Sequence, residues 1–195
     1  MYVSILVEEK IEPLKPVYSA CGIDVGIKDF ATITQGNGAT KKRIHKPNPK
    51  YLEKSEMMLK KIQRQLDKKQ HPQRKEDKTK KSKNYIKYAK RVAKLYEHVS
   101  NQRLDFLHKL SSTVIHENQV IVVEDLNVEG MLKNHHLAKA ISSVSWSTFI
   151  NMLQYKADWY DREFIKEDRF FASTQNCSKC GYKNPVTQNV FIHIH

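Results

Sequence analysis

Two acidic residues stand where their neighbours suggest chemistry. Asp24 lies within Gly22-Ile23-Asp24-Val25-Gly26-Ile27-Lys28, among small and β-branched residues that read as a strand with glycine on both sides. A carboxylate buried among such residues is costly unless its charge is compensated. A divalent cation would do so, and the glycines would let substrate or backbone approach closely. The plainer alternative is an aspartate of a hairpin turn. Glu124 follows directly on the apolar run Val120-Ile121-Val122-Val123. Open α/β sheets generally place their ligands and catalytic groups at the C-terminal ends of such strands. Asp125 and Glu129 compete for the same role, and Glu124 is preferred for its place at the end of the run. Two carboxylates on neighbouring strands would hold a pair of Mg²⁺ (or Mn²⁺) ions about 3.5–4 Å apart, which activate water and stabilise the leaving oxygen in phosphodiester cleavage.

A second metal chemistry is suggested by Cys177 and Cys180, a pair compact enough for both thiolates to reach one Zn²⁺, with Gly181 easing the turn. Two ligands do not complete a structural site. His193 and His195, two apart and so on one face of a strand, are candidates for the others, but the expectation is that they play no such part and that the zinc site is incomplete. Three cysteines, an odd number, argue against a disulfide framework and for a reducing compartment; Cys21 reads as a small core residue.

The net charge of +13 is concentrated in one segment. Between Lys41 and Lys94 stand 21 Lys and Arg against 5 Asp and Glu, a local net of +16, so the rest of the chain sums to −3. A charge run is often only a solvated helix face, but this density is the footprint of a polyanion-binding surface. The residues expected to contact nucleic acid are Lys60, Lys61, Arg64, Lys68, Lys69, Lys80, Lys81, Lys87, Lys90 and Arg91.

The elements that must position these groups follow from hydrophobic period. Residues 2–7 alternate weakly and then meet Pro13 and Pro16, which predicts a short strand and a linker. Ser19 to Gly26 and Phe30 to Thr34 predict a β-hairpin turning at Gly26 to Asp29. Leu52, Leu59, Ile62 and Leu66 predict one helix; Tyr85, Ala89, Val92, Tyr96, Val99, Phe106, Leu110 and Val114 predict a second, unusually long one. Lys68 to Lys83 between them is almost wholly polar, giving a helical hairpin with a basic tip. Gln119 to Val123 reads as a strand covered on both faces. Trp146, Phe149, Ile150, Leu153, Ala157 and Tyr160 follow the helical period, and Phe164-Ile165 suggests a last strand. The order indicates α/β. With 195 residues, one main domain is expected; 39% hydrophobic residues without a long apolar run or secretory signal point to a cytoplasmic protein with no membrane partner.

Four segments, GIDVGIKDFATIT, VIVVEDLNVEGM, SVSWSTFINMLQYKADW and STQNCSKCGYKNP, in this order, resemble the TnpB (OrfB) proteins of bacterial insertion sequences. These are RNA-guided DNA nucleases with a RuvC domain, related to the type V CRISPR effectors, and many carry the name transposase. The resemblance spans about Tyr2 to Pro185. It implies that Asp24 and Glu124 are the first two RuvC carboxylates, that Cys177 and Cys180 are half of a zinc ribbon, and that DNA and a guide RNA are the partners.

The chain is therefore expected to hold an RNase H-like (RuvC) α/β core over residues 19–172 with a basic helical insertion at 47–116. Residues 1–18 would be the end of an N-terminal wedge region, and 173–195 a partial zinc ribbon with a divergent tail. In the family a second cysteine pair and an acidic helix complete the site, whereas no Asp or Glu follows Asp168 here, so the expectation is a chain incomplete at both ends and catalytically impaired. The rival reading is a nucleic-acid-binding remnant that cuts nothing. A third takes GIDVG as the first phosphate loop of an actin-like ATPase; six glycines and no second Gly-rich loop speak against it.

Overall fold

The computed structural model describes residues 3–37, 40–69, 81–126, 130–131, 133 and 144–167. Strands β1 (Ala20–Val25) and β2 (Asp29–Gly36) form the antiparallel hairpin that the small and β-branched residues predict. Its turn requires glycine: a Cβ on Gly26 would lie 2.9 Å from the Asp29 carbonyl oxygen. The Gly26 N–H closes the turn by donating to the Phe30 carbonyl at 3.1 Å.

β3 (Lys41–Pro47) extends the sheet antiparallel to β2, and the sequence reading passes over it. With Ile44 its one aliphatic residue, it carries little hydrophobic signal. An edge strand needs only one packed side, and lysines there discourage edge-to-edge pairing with another chain. Helices α1 (Tyr51–Asp67) and α2 (Lys83–Glu117) follow, then β4 (Val120–Glu124), α3 (Trp146–Tyr160) and β5 (Glu163–Glu167). The five-stranded sheet runs β3-β2-β1-β4-β5, with β4 parallel to both β1 and β5, so the fold is mixed α/β.

The core lies between one face of this sheet and helices α2 and α3. Cys21, Ile23, Ile33, Ile121 and Val123 point into it from the strands; Leu107, Val114 and Ile115 come from α2, and Phe149, Leu153 and Ala157 from α3. Phe30 is its centre, meeting Phe106 and Phe149 edge-to-face, each at 5.1 Å between centroids. Ser82 starts α2 by accepting the Tyr85 N–H at 3.1 Å.

Two buried cations join the elements. Lys156 Nζ, on α3, donates to the His108 carbonyl at 3.0 Å and to Ser111 Oγ and Ser112 Oγ, each at 2.8 Å, all on α2. Burial holds its pKa below the usual lysine value. Arg162 donates to the carbonyls of Ile115 and Lys15, each at 3.0 Å, and to Gln119 Oε1 at 2.6 Å. It thereby fixes the end of α2, the approach to β4 and the N-terminal segment around the start of β5.

Two expectations are corrected. Residues 3–18 contain no strand, and Val3, Ile5, Leu6 and Val7 are exposed. An alternating segment becomes a strand only where a neighbour takes its backbone hydrogen bonds, and none of the described strands lies beside it. β4 is not covered on both faces by the described residues: Ile121 and Val123 are buried, Val120 and Val122 half-buried, Glu124 exposed. Among the described residues, no helix is long and apolar enough to cross a membrane.

Candidate metal centre and nucleic-acid interface

β1 and β4 run parallel, and their last paired positions are Gly22 with Val122 and Ile23 with Val123. Asp24 and Glu124 are the next residue on each strand. Side chains alternate across a sheet, so both carboxylates fall on the face opposite the core, at the same C-terminal end. Both are exposed. Asp24 is thus not the buried acid its neighbours suggest, because the pleat turns Ile23 inward and Asp24 outward. An exposed Asp24 needs no cation to offset burial; its adjacency to Glu124 is what makes a shared cation favourable. Gly22 shares the Asp24 face, and among the described residues a Cβ there would meet nothing within 4 Å, which leaves room beside the carboxylates.

Glu167 was not singled out from the sequence. It pairs with Glu124 across the β4–β5 ladder, bringing a third acidic residue to the same end of the sheet. No local signal marks it, since its position depends on which strand β5 joins. The Asp125 N–H donates to the Glu167 carbonyl at 3.3 Å, which extends the backbone contact of the two segments one residue past β4. Among the described residues no group of three or more His, Cys, Asp and Glu side chains converges to hold a metal ion. Asp24 and Glu124 offer hard carboxylate oxygens of the kind Mg²⁺ and Mn²⁺ take. Glu129, Cys177, Cys180, His193 and His195 lie outside the described residues.

The basic segment is displayed by the helix pair. Leu59 and Val99 are buried between and beneath α1 and α2, and Gln63 Nε2 donates to Tyr96 Oη across the pair at 3.1 Å. Lys60, Lys61 and Arg64 on α1, Lys68 just after it, Lys81 just before α2, and Lys87, Lys90 and Arg91 on α2 are all exposed. Glu56 holds Lys60 at 2.7 Å and offsets part of its charge. Lys69 is half-buried, its Nζ 5.0 Å from the centre of the Tyr88 ring, while the Arg91 guanidinium sits 5.1 Å from the same ring. Lys81 lies 5.5 Å from the Tyr85 ring. Lys80 lies outside the described residues. Strand β3 adds Lys41, Lys42, Arg43 and Lys46, which the sequence reading counted as charge without placing on the sheet.

Comparison with known proteins matches residues 4–135 to the OrfB_IS605 family, described as "Probable transposase". The chain belongs to this family, that of TnpB. Residues 146–194 match a second model, the Cas12f1-like TNB domain. This TnpB-family chain is 38% identical over 180 residues to a "Putative RNA-guided DNA endonuclease" of Streptomyces pristinaespiralis, covering 92% of this chain and 41% of that one. It is 27% identical over 209 residues to the "Putative RNA-guided DNA endonuclease InsQ" of Escherichia coli K12, covering 97% and 48%. The chain spans less than half the length of these two relatives. Among solved structures, it resembles the protein in the cryo-EM Cas12f1–sgRNA–target DNA complex with a TM-score of 0.51 at 15% identity, covering 93% of this chain and 42% of that one. A CRISPR-Cas12f ternary complex matches with a TM-score of 0.50 at 19% identity, covering 92% and 34%. The TnpB-family chain therefore has a Cas12f-like fold.

Proposed function

We propose that this TnpB-family chain carries the RuvC-type site of an RNA-guided, Mg²⁺-dependent DNA endonuclease of insertion-sequence origin, with DNA and a guide RNA as its partners. The observation that carries the proposal is the placement of Asp24 and Glu124 at adjoining ends of two parallel strands, on one face. The names of the Streptomyces and Escherichia relatives support the reaction class. A bound divalent ion would activate water and stabilise the leaving oxygen. Asp24 and Glu124 would hold it with anionic oxygens set by strand backbone rather than by loops. The space beside Gly22 would admit a phosphodiester, and the cations of α1 and α2 would hold the rest of the polyanion by phosphate contacts. Cys177 and Cys180 would supply two thiolates to a zinc site.

The test is a titration with Mn²⁺ followed by its electron paramagnetic resonance signal. Asp24→Asn and Glu124→Gln should each weaken Mn²⁺ binding by about tenfold or more, the cost of losing one charged ligand. Unchanged binding in both variants would remove the metal centre from these residues.

A second reading, a nucleic-acid-binding protein that does not cut, is favoured by one observation: among the described residues no third ligand joins the two carboxylates. Two carboxylates leave a pair of divalent ions short of compensating charge. In this reading the basic helices work as above and the chain cuts nothing.

A further inference from the structure

An open groove of about 740 Å³ runs between α1 and α2. That is the size of a ligand-binding cleft, typically about 300–1,000 Å³. Its floor is apolar and comes from both helices: Met57, Met58 and Ile62 from α1, Leu95 from α2. Met57 is 85% exposed and Met58 58% exposed, so two flexible, polarisable side chains stand uncovered among the described residues. Its remaining walls are Lys61, Arg91, Lys94, His98 and the neutral Gln65, with no carboxylate. The groove continues at one end through Tyr88, three residues before Arg91 on α2, and Lys69, which lies just past the C-terminal end of α1 at Asp67. There Lys69 and Arg91 both approach the Tyr88 ring, at 5.0 and 5.1 Å.

A cationic rim selects a polyanion, but duplex nucleic acid presents only phosphates and groove edges to a surface, and an apolar floor would gain nothing from it. Unpaired nucleotides offer both what the rim and what the floor require: phosphates for Lys61, Arg91 and Lys94, and flat base faces for the methionines and the Tyr88 ring. Bases stack on aromatic rings and on guanidinium planes, and thioethers make favourable contacts with aromatic systems. Specific RNA recognition in particular targets loops and bulges whose bases are splayed out.

We propose that the α1–α2 groove receives unpaired bases of single-stranded RNA, with Met57, Met58 and Tyr88 as the base-contacting residues and Lys61, Arg91 and Lys94 as phosphate contacts. The inference rests on the nucleic-acid-binding role proposed for this helix pair and adds to it the class of strand and the residues that read it. Selectivity for unpaired strands then comes from the floor, and affinity for any polyanion comes from the rim.

The experiment compares the full chain with a Met57→Ser/Met58→Ser double variant and with Tyr88→Leu. Binding is measured on an unstructured RNA carrying 2-aminopurine, on a DNA of the same sequence, and on the RNA duplex, over a range of salt. The expected result is a loss of about fivefold or more in affinity for the single-stranded RNA, the lower end of what one stacked base contributes. Duplex affinity and the slope of log K against log[salt] should be unchanged, and the 2-aminopurine quenching seen with the unaltered chain should be reduced. The two methionines are exposed, so the double variant tests the groove even if Tyr88→Leu lowers stability. Equal binding of single-stranded RNA by all three proteins, with steep salt dependence retained, would overturn the groove assignment and leave the phosphate-binding role standing. An effect confined to the single-stranded DNA would also overturn it. An absence of salt-dependent binding in the unaltered chain would overturn both. Displacement by an acidic amphipathic peptide of the same quenched probe, with no loss of RNA affinity in the methionine variant, would mark the groove as a peptide site and contradict the proposal.

Discussion

The Asp24 and Glu124 carboxylates project from strand backbone that is held from its other side by Ile23, Ile121 and Val123, so their positions are fixed without the cost of burying charge. The same alternation places Cys21 in the core, where burial, and secondarily the charge of Glu117, push its thiol from an ordinary 9.0 up to about 12. Its pH linkage has a definite sign. Below pH 9.0 the thiol is neutral in both folded and unfolded chains, and its contribution to stability is full. As pH rises from 9.0 towards about 12, only the unfolded chain ionises and stability is lost. That loss should approach about 1.4 kcal/mol per pH unit. Chemical denaturation of the unaltered chain and of Cys21→Ala, from pH 8 upward, should show the two stability curves converging above pH 9.0; parallel curves would contradict the assignment. From the sequence, Cys21 reads correctly as a core residue, and Asp24 stands out for its setting but is given the wrong exposure. Neighbouring residue types show that a strand is present without showing which of its faces is covered. Glu167 escaped notice because its partner, Glu124, is 43 residues away and is specified only by the β4–β5 register.

The long helix α2 connects the core to the basic face, with Leu107, Val114 and Ile115 buried near its end and Lys87, Lys90 and Arg91 exposed near its start. Its attachment to α3 depends on Lys156. Replacing Lys156 with Met keeps most of the volume but leaves the His108 carbonyl and two serine hydroxyls without their donor. The variant should lose about 1–3 kcal/mol in urea unfolding; full stability would mean that the ammonium is not a structural tie. At the other end, replacing Lys60, Lys61, Arg64, Lys87, Lys90 and Arg91 by Ala should flatten the slope of log K against log[salt] by up to about 5. An unchanged slope would place the phosphate contacts elsewhere. The helices and the β1–β2 hairpin were legible because their period is imposed by one packed face each. β3 and the irregular residues 3–18 were not: an edge strand can form with one aliphatic residue when β2 offers its backbone, and an alternating segment stays irregular when no strand does.

At the scale of the molecule, the mixed α/β sheet, its order and the Cas12f-like fold follow from elements whose kind, β3 excepted, the sequence reveals and whose pairing it reveals only for the hairpin. The sheet brings together two carboxylates from segments 100 residues apart and keeps them on the side away from α2 and α3. The setting of each residue in the sequence singled out both, and the family resemblance gave them the same role; their adjacency depends on parallel β1–β4 pairing, which no local pattern encodes. Cleavage is the most direct test of this arrangement. A guide-dependent assay with Mg²⁺ would compare this chain, joined to the remaining C-terminal segment of the Streptomyces pristinaespiralis relative, with the Asp24→Ala and Glu124→Ala variants of the same fusion. The account predicts clear cutting by the fusion and its loss in both variants. Undiminished cutting by either variant would contradict the assignment of the catalytic carboxylates.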